Sequence, residues 1–229
     1  MENKKPRKRN CGIQMKLVPY GGGWTDVYLD IGNDNLYFII SYLSSNSFTD
    51  LLRILYFLHP DQRDPEESED CVYYWEGLVE NSEVVEIAES IDKFPRTIRL
   101  IPKKGEFTWW EEEGGSNWLI ERDATLKPDF DIKLSIDIKR SETKHYEYTV
   151  RYKDFCYAVA KACTEVLKSH GIYGYHQSIY QDDMHLRYLL FIKGVALDNL
   201  EARKLTDMGD KNGMGSSLEK ELKLLLFDM

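Results

Sequence analysis

The chain has 229 residues, 42% hydrophobic and 13% aromatic, and its 30 lysines and arginines against 39 aspartates and glutamates give a formal charge of −9. This composition supports a packed core and excludes global disorder, while the net negative charge argues against a general nucleic-acid coat, which needs a cationic surface. Four cysteines are too few for a disulfide scaffold, and without an apolar leader at the N-terminus the chain is expected to act in the cytoplasm.

Residues 1–10 carry Lys4, Lys5, Arg7, Lys8 and Arg9 and read as a basic, flexible tail. From Gly12 the pattern turns apolar and β-rich. Ile13–Val18, Trp24–Ile31 and Leu36–Leu43 predict an antiparallel meander, with Gly32, Asn33, Asp34 and Asn35 as a turn. Ser47 and Asp50 make an acidic capping box for a helix over Phe48–Leu58, whose Leu51, Ile54, Leu55 and Leu58 share one face. The longest uncharged run, 35–49, is interrupted by serines and falls short of the ~20 apolar residues of a spanning helix, so no membrane span is expected.

His59–Asp70 is polar, acidic and contains two prolines, as a surface loop does. Glu83–Ile91 fits strand or helix equally. The β signal returns with Ile98 and Leu100, Phe107 and Trp109, then Trp118 and Ile120, and Gly114 with Gly115 predicts a hairpin turn between the last two runs. Phe130, Ile132, Leu134, Ile136 and Ile138 alternate with polar residues, which predicts a strand with one wet face. Asp154 then precedes a helix whose broad apolar stripe, Phe155 to Leu167, ends near Gly171. Cys156 and Cys163 lie on that stripe, about 10 Å apart by helical rise, too far for a disulfide. Met184–Lys193 reads as helical, Glu201–Gly215 as a linker, and Ser216 with Glu219 as the cap of a short C-terminal helix. The organisation expected is therefore a single α+β domain over 11–200, an antiparallel sheet of meander plus hairpins with helices packed on one face, carrying an acidic insertion at 59–92 and followed by a linker and helix at 201–229.

Catalytic signatures are sparse. His176 and His185 are nine residues apart, opposite faces of a continuous helix, and neither belongs to a ligand motif. Gly21, Gly22 and Gly23 lack the lysine and the following helix of a phosphate loop. No GxSxG elbow is present, and cysteines on an apolar stripe make poor thiolates. Glu111, Glu112 and Glu113, among Trp109, Trp110 and Trp118, could imitate paired glycosidase carboxylates, but successive strand residues point to opposite faces. No catalytic residue, metal site or cofactor is assigned. The competing reading is an enzyme of unknown substrate using Glu111 or Glu113 with a histidine.

Charge is segregated along the chain. Residues 59–92 hold twelve acids and one base, a net −11, and the remainder nets +2. The same segment carries Tyr73, Tyr74 and Trp75, residue types that anchor protein interfaces. A patch of Glu66, Glu67, Glu69 and Asp70 with these aromatics would attract and then hold a basic protein partner. Trp110, Glu111, Glu112 and Glu113 form a second candidate contact.

The run from Phe107 through Trp109, Trp110, Glu111–Glu113, Gly114 and Gly115 to Trp118, with the Asp131–Lys139 strand, the Phe155–Leu167 helix, the Trp24–Leu43 meander and the Leu51–Leu58 helix, resembles a group of bacterial immunity-like proteins associated with polymorphic toxin systems. The likeness covers most of Gly12–Leu190 and leaves the basic tail and Glu201–Met229 unaccounted for. It implies a non-catalytic cytoplasmic protein that binds and blocks one cognate toxin, often a nuclease. Such an inhibitor offers carboxylates where a cationic cleft expects phosphates, with Trp and Tyr supplying contact area. The partner expected is thus a basic toxin protein, with neither membrane nor nucleic acid.

Overall fold

Alternation decides the first sheet. In β1 (Ile13–Gly21), β2 (Trp24–Ile31) and β3 (Asp34–Ile40) every second residue is apolar, and the buried set, Ile13, Met15 and Leu17, then Val27, Leu29 and Ile31, then Leu36, Phe38 and Ile40, lines one face. The strands pair antiparallel in sequence order. Gly21, Gly22 and Gly23 all have positive φ in the β1–β2 turn, a conformation that costs glycine nothing and L-residues a great deal. The computed structural model describes residues 12–41, 47–60, 82–87, 97–111, 114–123, 129–178, 184–199, 218–227 and 229. The basic tail, the acidic run from Asp61 to Glu80, the 201–215 linker and Ser216 lie outside the described residues.

Helix α1 (Ser47–Leu58) follows as expected, and its Asp50 pairs with Arg53 at 2.5 Å. The ambiguous stretch after Glu83 resolves in part as a strand, β4 (Ser82–Ile87), paired antiparallel with β5 (Thr97–Pro102). A four-stranded antiparallel sheet comprises β6 (Lys104–Glu111), β7 (Gly114–Arg122), β8 (Asp131–Lys139) and β9 (Thr143–Arg151) in that order. In β8, Ile132, Leu134 and Ile136 are fully buried and Asp131, Lys133 and Lys139 exposed, the half-wet strand that the alternation predicted. Strand β9 carried no comparable signal.

The Gly114–Gly115 pair is not the turn. Both glycines lie within β7, where Gly114 faces Glu111 and Gly115 faces Trp110. They are needed for close approach: a Cβ on Gly114 would overlap the Lys139 carbonyl oxygen, and one on Gly115 would come 2.6 Å from Trp109 O.

Helix α2 (Tyr152–Ser178) starts two residues before Asp154 and leaves helical geometry at Gly171, where φ is +69°. It packs on β1 and on α3 (Leu186–Ala196). Cys156 and Cys163 are buried in it as free thiols. The short α4 (Leu218–Leu225) sits against α3, and Lys193 of α3, wholly buried, ties it down. The Lys193 ammonium donates to Thr164 Oγ1 at 3.0 Å, Leu225 O at 2.9 Å and Phe227 O at 2.8 Å. A cation is well placed there, among the carbonyls that a helix C-terminus leaves unpaired.

One hydrophobic core joins the inner faces of the three-stranded and four-stranded sheets to α1, α2 and α3, so the protein is α+β with helices on the dry faces and water on the others. No helix among the described residues is long and apolar enough to cross a membrane. Helix α1 seats on β6 through a bare spot: a Cβ at Gly105 would lie 2.7 Å from Ile54 Cγ2. The Gly105→Ala variant should therefore lose about 1–3 kcal/mol of unfolding free energy in urea titrations. Adding Ile54→Ala, which removes the γ carbons that the new methyl would meet, should cost less in the Gly105→Ala background than alone, and strictly additive losses would show that the two side chains do not share the space.

Candidate functional site

The candidate aromatic-acidic hairpin divides by strand parity. Phe107 and Trp109 of β6 face the core, where Trp109 packs against Trp118 with centroids 4.9 Å apart, whereas Trp110 faces out and is 55% exposed. Ser41 Oγ donates to Trp110 O at 2.7 Å, pinning the end of β6 beside β3.

Glu111 completes this junction. Its Oε1 accepts from the Ile39 amide at 3.2 Å and from Arg140 Nη2 at 3.4 Å, and its Oε2 accepts from Arg140 Nε at 3.4 Å. Arg140 Nη2 also donates to Tyr37 O at 3.2 Å. Ile39 N–H and Tyr37 C=O both belong to β3 and are bound by this ion pair, so a carboxylate and a guanidinium stand where a neighbouring strand would offer its own peptide groups. The Glu111 side chain is only 10% exposed. The Arg140 guanidinium lies 5.5 Å from the Tyr37 ring centre, and the Tyr37 hydroxyl donates to Asp26 Oδ1 at 2.8 Å. Burial first, and then the bond to Asp26, push the Tyr37 hydroxyl up to about 12.

Beside the junction, between the start of β3 and the β8–β9 hairpin, is an open cavity of about 340 Å³ lined by Asn35, Tyr37, Arg140, Glu142, Lys144 and Tyr146 among others. Its walls offer phenol faces and charges of both signs. Such a lining can stack on and ion-pair with a protein side chain.

The outer face of the four-stranded sheet carries a second charged group. Lys133 Nζ lies 2.8 Å from Glu147 Oε1, His145 Nδ1 2.6 Å from Asp137 Oδ1, and His145 Nε2 3.5 Å from Glu147 Oε1. Hydrogen bonding to Asp137, followed by that to Glu147, raises the imidazole above its usual value, and the bond to Lys133 lowers Glu147. His59 is buried among Tyr152, Phe191 and Phe130, and His185 precedes α3 and stacks on Tyr188. Burial pushes the Cys163 thiol up to about 12 and Cys156 higher still. No group of three or more metal-ligating side chains occurs among the described residues.

Of the sequence-derived candidates, Trp110 and Glu111 are therefore placed at the junction of the two sheets. Glu112, Glu113, Glu66, Glu67, Glu69, Asp70, Tyr73, Tyr74 and Trp75 lie outside the described residues. The Glu111 carboxylate is held by Ile39 and Arg140, and no histidine is among these contacts. Sequence reasoning missed Tyr37, Arg140 and the His145 group; the only local signal was the charged run Lys139–Lys144. Comparison with known protein families, with curated proteins and with solved structures finds no match.

Glu111→Ala strands the Ile39 amide and should lower stability by about 1–3 kcal/mol. Because Arg140 is partly exposed, its own deletion should cost less. A double-mutant cycle in urea should show the two losses to be non-additive, and strict additivity would mean that they act separately. The ion pairs of His145 with Asp137 and Glu147 need the protonated ring, a neutral ring keeping at most one hydrogen bond to them. The contribution of these pairs is fully present below the unfolded value of about 6.5 and is lost as pH rises through the raised folded value. Asp137→Asn should therefore lower the melting temperature more at about pH 6 than at about pH 9, and return the imidazole titration seen by NMR towards its ordinary midpoint.

Proposed function

We propose that the chain is a protein-binding module that neutralises a basic toxin protein in the cytoplasm, with Glu66, Glu67, Glu69 and Asp70 as the electrostatic contact and Tyr73, Tyr74 and Trp75 as anchors. The observation that carries this reading is the segregation of charge: the stretch 59–92 nets −11 and the rest of the chain +2. A field so concentrated accelerates encounter with a cationic cleft, and aromatic side chains then slow dissociation by filling desolvated pockets. Trp110 supports the reading as a second anchor, since a large indole 55% exposed beside Glu111 and Arg140 is what an interface rim offers. The resemblance to immunity-like proteins supplies the kind of partner.

The test is rescue from intoxication. Where a reading frame adjoining this gene proves toxic on expression, cells expressing it should grow when the chain is co-expressed and fail to grow with Glu66→Lys, Glu67→Lys, Glu69→Lys and Asp70→Lys combined. In vitro, that variant should bind the toxin at least ~10-fold more slowly at low salt, with a weaker dependence on ionic strength. Rescue equal to that of the unaltered chain would remove the acidic patch from the mechanism, and no rescue by the unaltered chain would remove the immunity reading itself.

A further inference from the structure

Strand β9 is the outermost strand of its sheet, and the bonding pattern says which of its peptide groups are used. Tyr152 N donates to Phe130 O at 3.0 Å at one end of the β8–β9 ladder, and Arg140 N to Glu142 O at 3.3 Å at the other. Antiparallel pairs alternate between bonded and non-bonded positions, so the even-numbered residues of β9 bond to β8. Thr143, His145, Glu147, Thr149 and Arg151 turn their N–H and C=O groups outward, and among the described residues nothing bonds to them.

Exposed edges are normally blunted by proline, a bulge, a short strand, a covering element or charged side chains, and charges of both signs, such as His145, Glu147 and Arg151 here, deter only the registers that oppose like charges. The β1 register shifts between Pro19 and Gly21, and β3 is capped by Glu111 and Arg140. Strand β9 has nine residues, no proline and an unbroken register with β8.

We infer that β9 pairs antiparallel with β9 of a second copy of this chain, joining the two four-stranded sheets edge to edge about a two-fold axis at Tyr146. Charge selects this register. A two-fold at Glu147 would place the two Glu147 carboxylates opposite each other, and one at Tyr148 would set His145 against Arg151. The axis at Tyr146 pairs residues 143–149 and places His145 directly opposite Glu147 of the second copy, twice over by symmetry. Each imidazole then lies between its own Glu147, already 3.5 Å away, and that of the other chain, so opposite charges alternate along the seam beside Asp137 and Lys133. On the inner face the half-buried Tyr146 meets its own copy, and Lys144 meets Tyr148, a cation against an aromatic ring.

A seven-residue ladder is small beside a standard interface, so the dimer is weak and concentration-dependent. Sedimentation velocity on the full chain from roughly 1 μM to 1 mM should show a monomer–dimer equilibrium. Glu147→Pro removes an amide that points away from β8, so it leaves the intrachain ladder intact and should abolish the dimer with circular dichroism unchanged. Glu147→Lys and His145→Glu should each weaken self-association by ~10-fold or more. Mixing those two variants restores opposite charges at both positions and should recover the dimer. A monomer throughout the concentration range, or a dimer undiminished by Glu147→Pro, would overturn the proposal; mixed variants that associate no better than either alone would overturn the register.

Discussion

Two sheets and a helix meet at one aromatic cluster, and the fold is organised by the need to keep it dry. Phe38 of β3 lies 5.8 Å from Trp109 and 5.0 Å from Trp118, Phe48 of α1 stacks on Trp109 at 5.9 Å, and Phe107 stacks on Trp118 at 5.4 Å. Indoles carry a large apolar area and one polar handle, so burying them is favourable only if the N–H is bonded. Ser116, two residues away on β7, accepts from Trp118 Nε1 at 3.0 Å. With this cluster in place, β3 must approach the end of β6, and α1 must lie across Gly105.

That approach explains the sheet junction. A strand brought against another sheet by side-chain packing keeps its peptide groups, and these need partners wherever water is reduced. Glu111 and Arg140 are neighbours because of the β6–β7–β8 pairing: Glu111 faces Gly114, and Gly115 in turn faces Lys139, the residue before Arg140. The absence of side chains at Gly114 and Gly115 lets the hairpin strands close up so that carboxylate and guanidinium reach β3 together. A surface ion pair contributes little by itself; this one stabilises because it satisfies backbone groups that a cavity-side strand would otherwise leave unpaired.

How much of this is legible in the sequence depends on how one-sided each element is. Strand β8 declares itself because Ile132, Leu134 and Ile136 are dry while their neighbours are wet, so composition and geometry share a period of two. Strand β9 has an edge on one side, an open face and only half-buried Tyr146, Tyr148 and Val150, so there is little apolar contrast to read. The glycines at 114 and 115 announce themselves as unusual, but residue type cannot distinguish a turn from a close approach. Trp110 and Glu111 were legible as exceptional residues, whereas their pairing with a strand 72 residues earlier and an arginine 29 residues later is set by tertiary packing alone. The α+β class was legible because it needs only the element types, and those survive errors of a few residues at their ends.

A common device recurs where apolar area runs short. The C-terminal helix α4 has only eight residues and one buried side chain, Leu224, too little to hold a helix of that length in place. Lys193 compensates by donating to two carbonyls at its end and to Thr164, as Glu111 and Arg140 compensate at β3. In each case an ionised side chain answers backbone groups, which stay at fixed positions and lose no rotamer freedom on bonding, so the desolvated charge is offset more fully than by a flexible counter-ion. Strand β9 presents the same kind of groups, five amides and five carbonyls in a row, with no side chain of the described residues turned to meet them. In a molecule that elsewhere closes such gaps with its own charges, an open edge flanked by His145 and Glu147 is the place where closure falls to another strand.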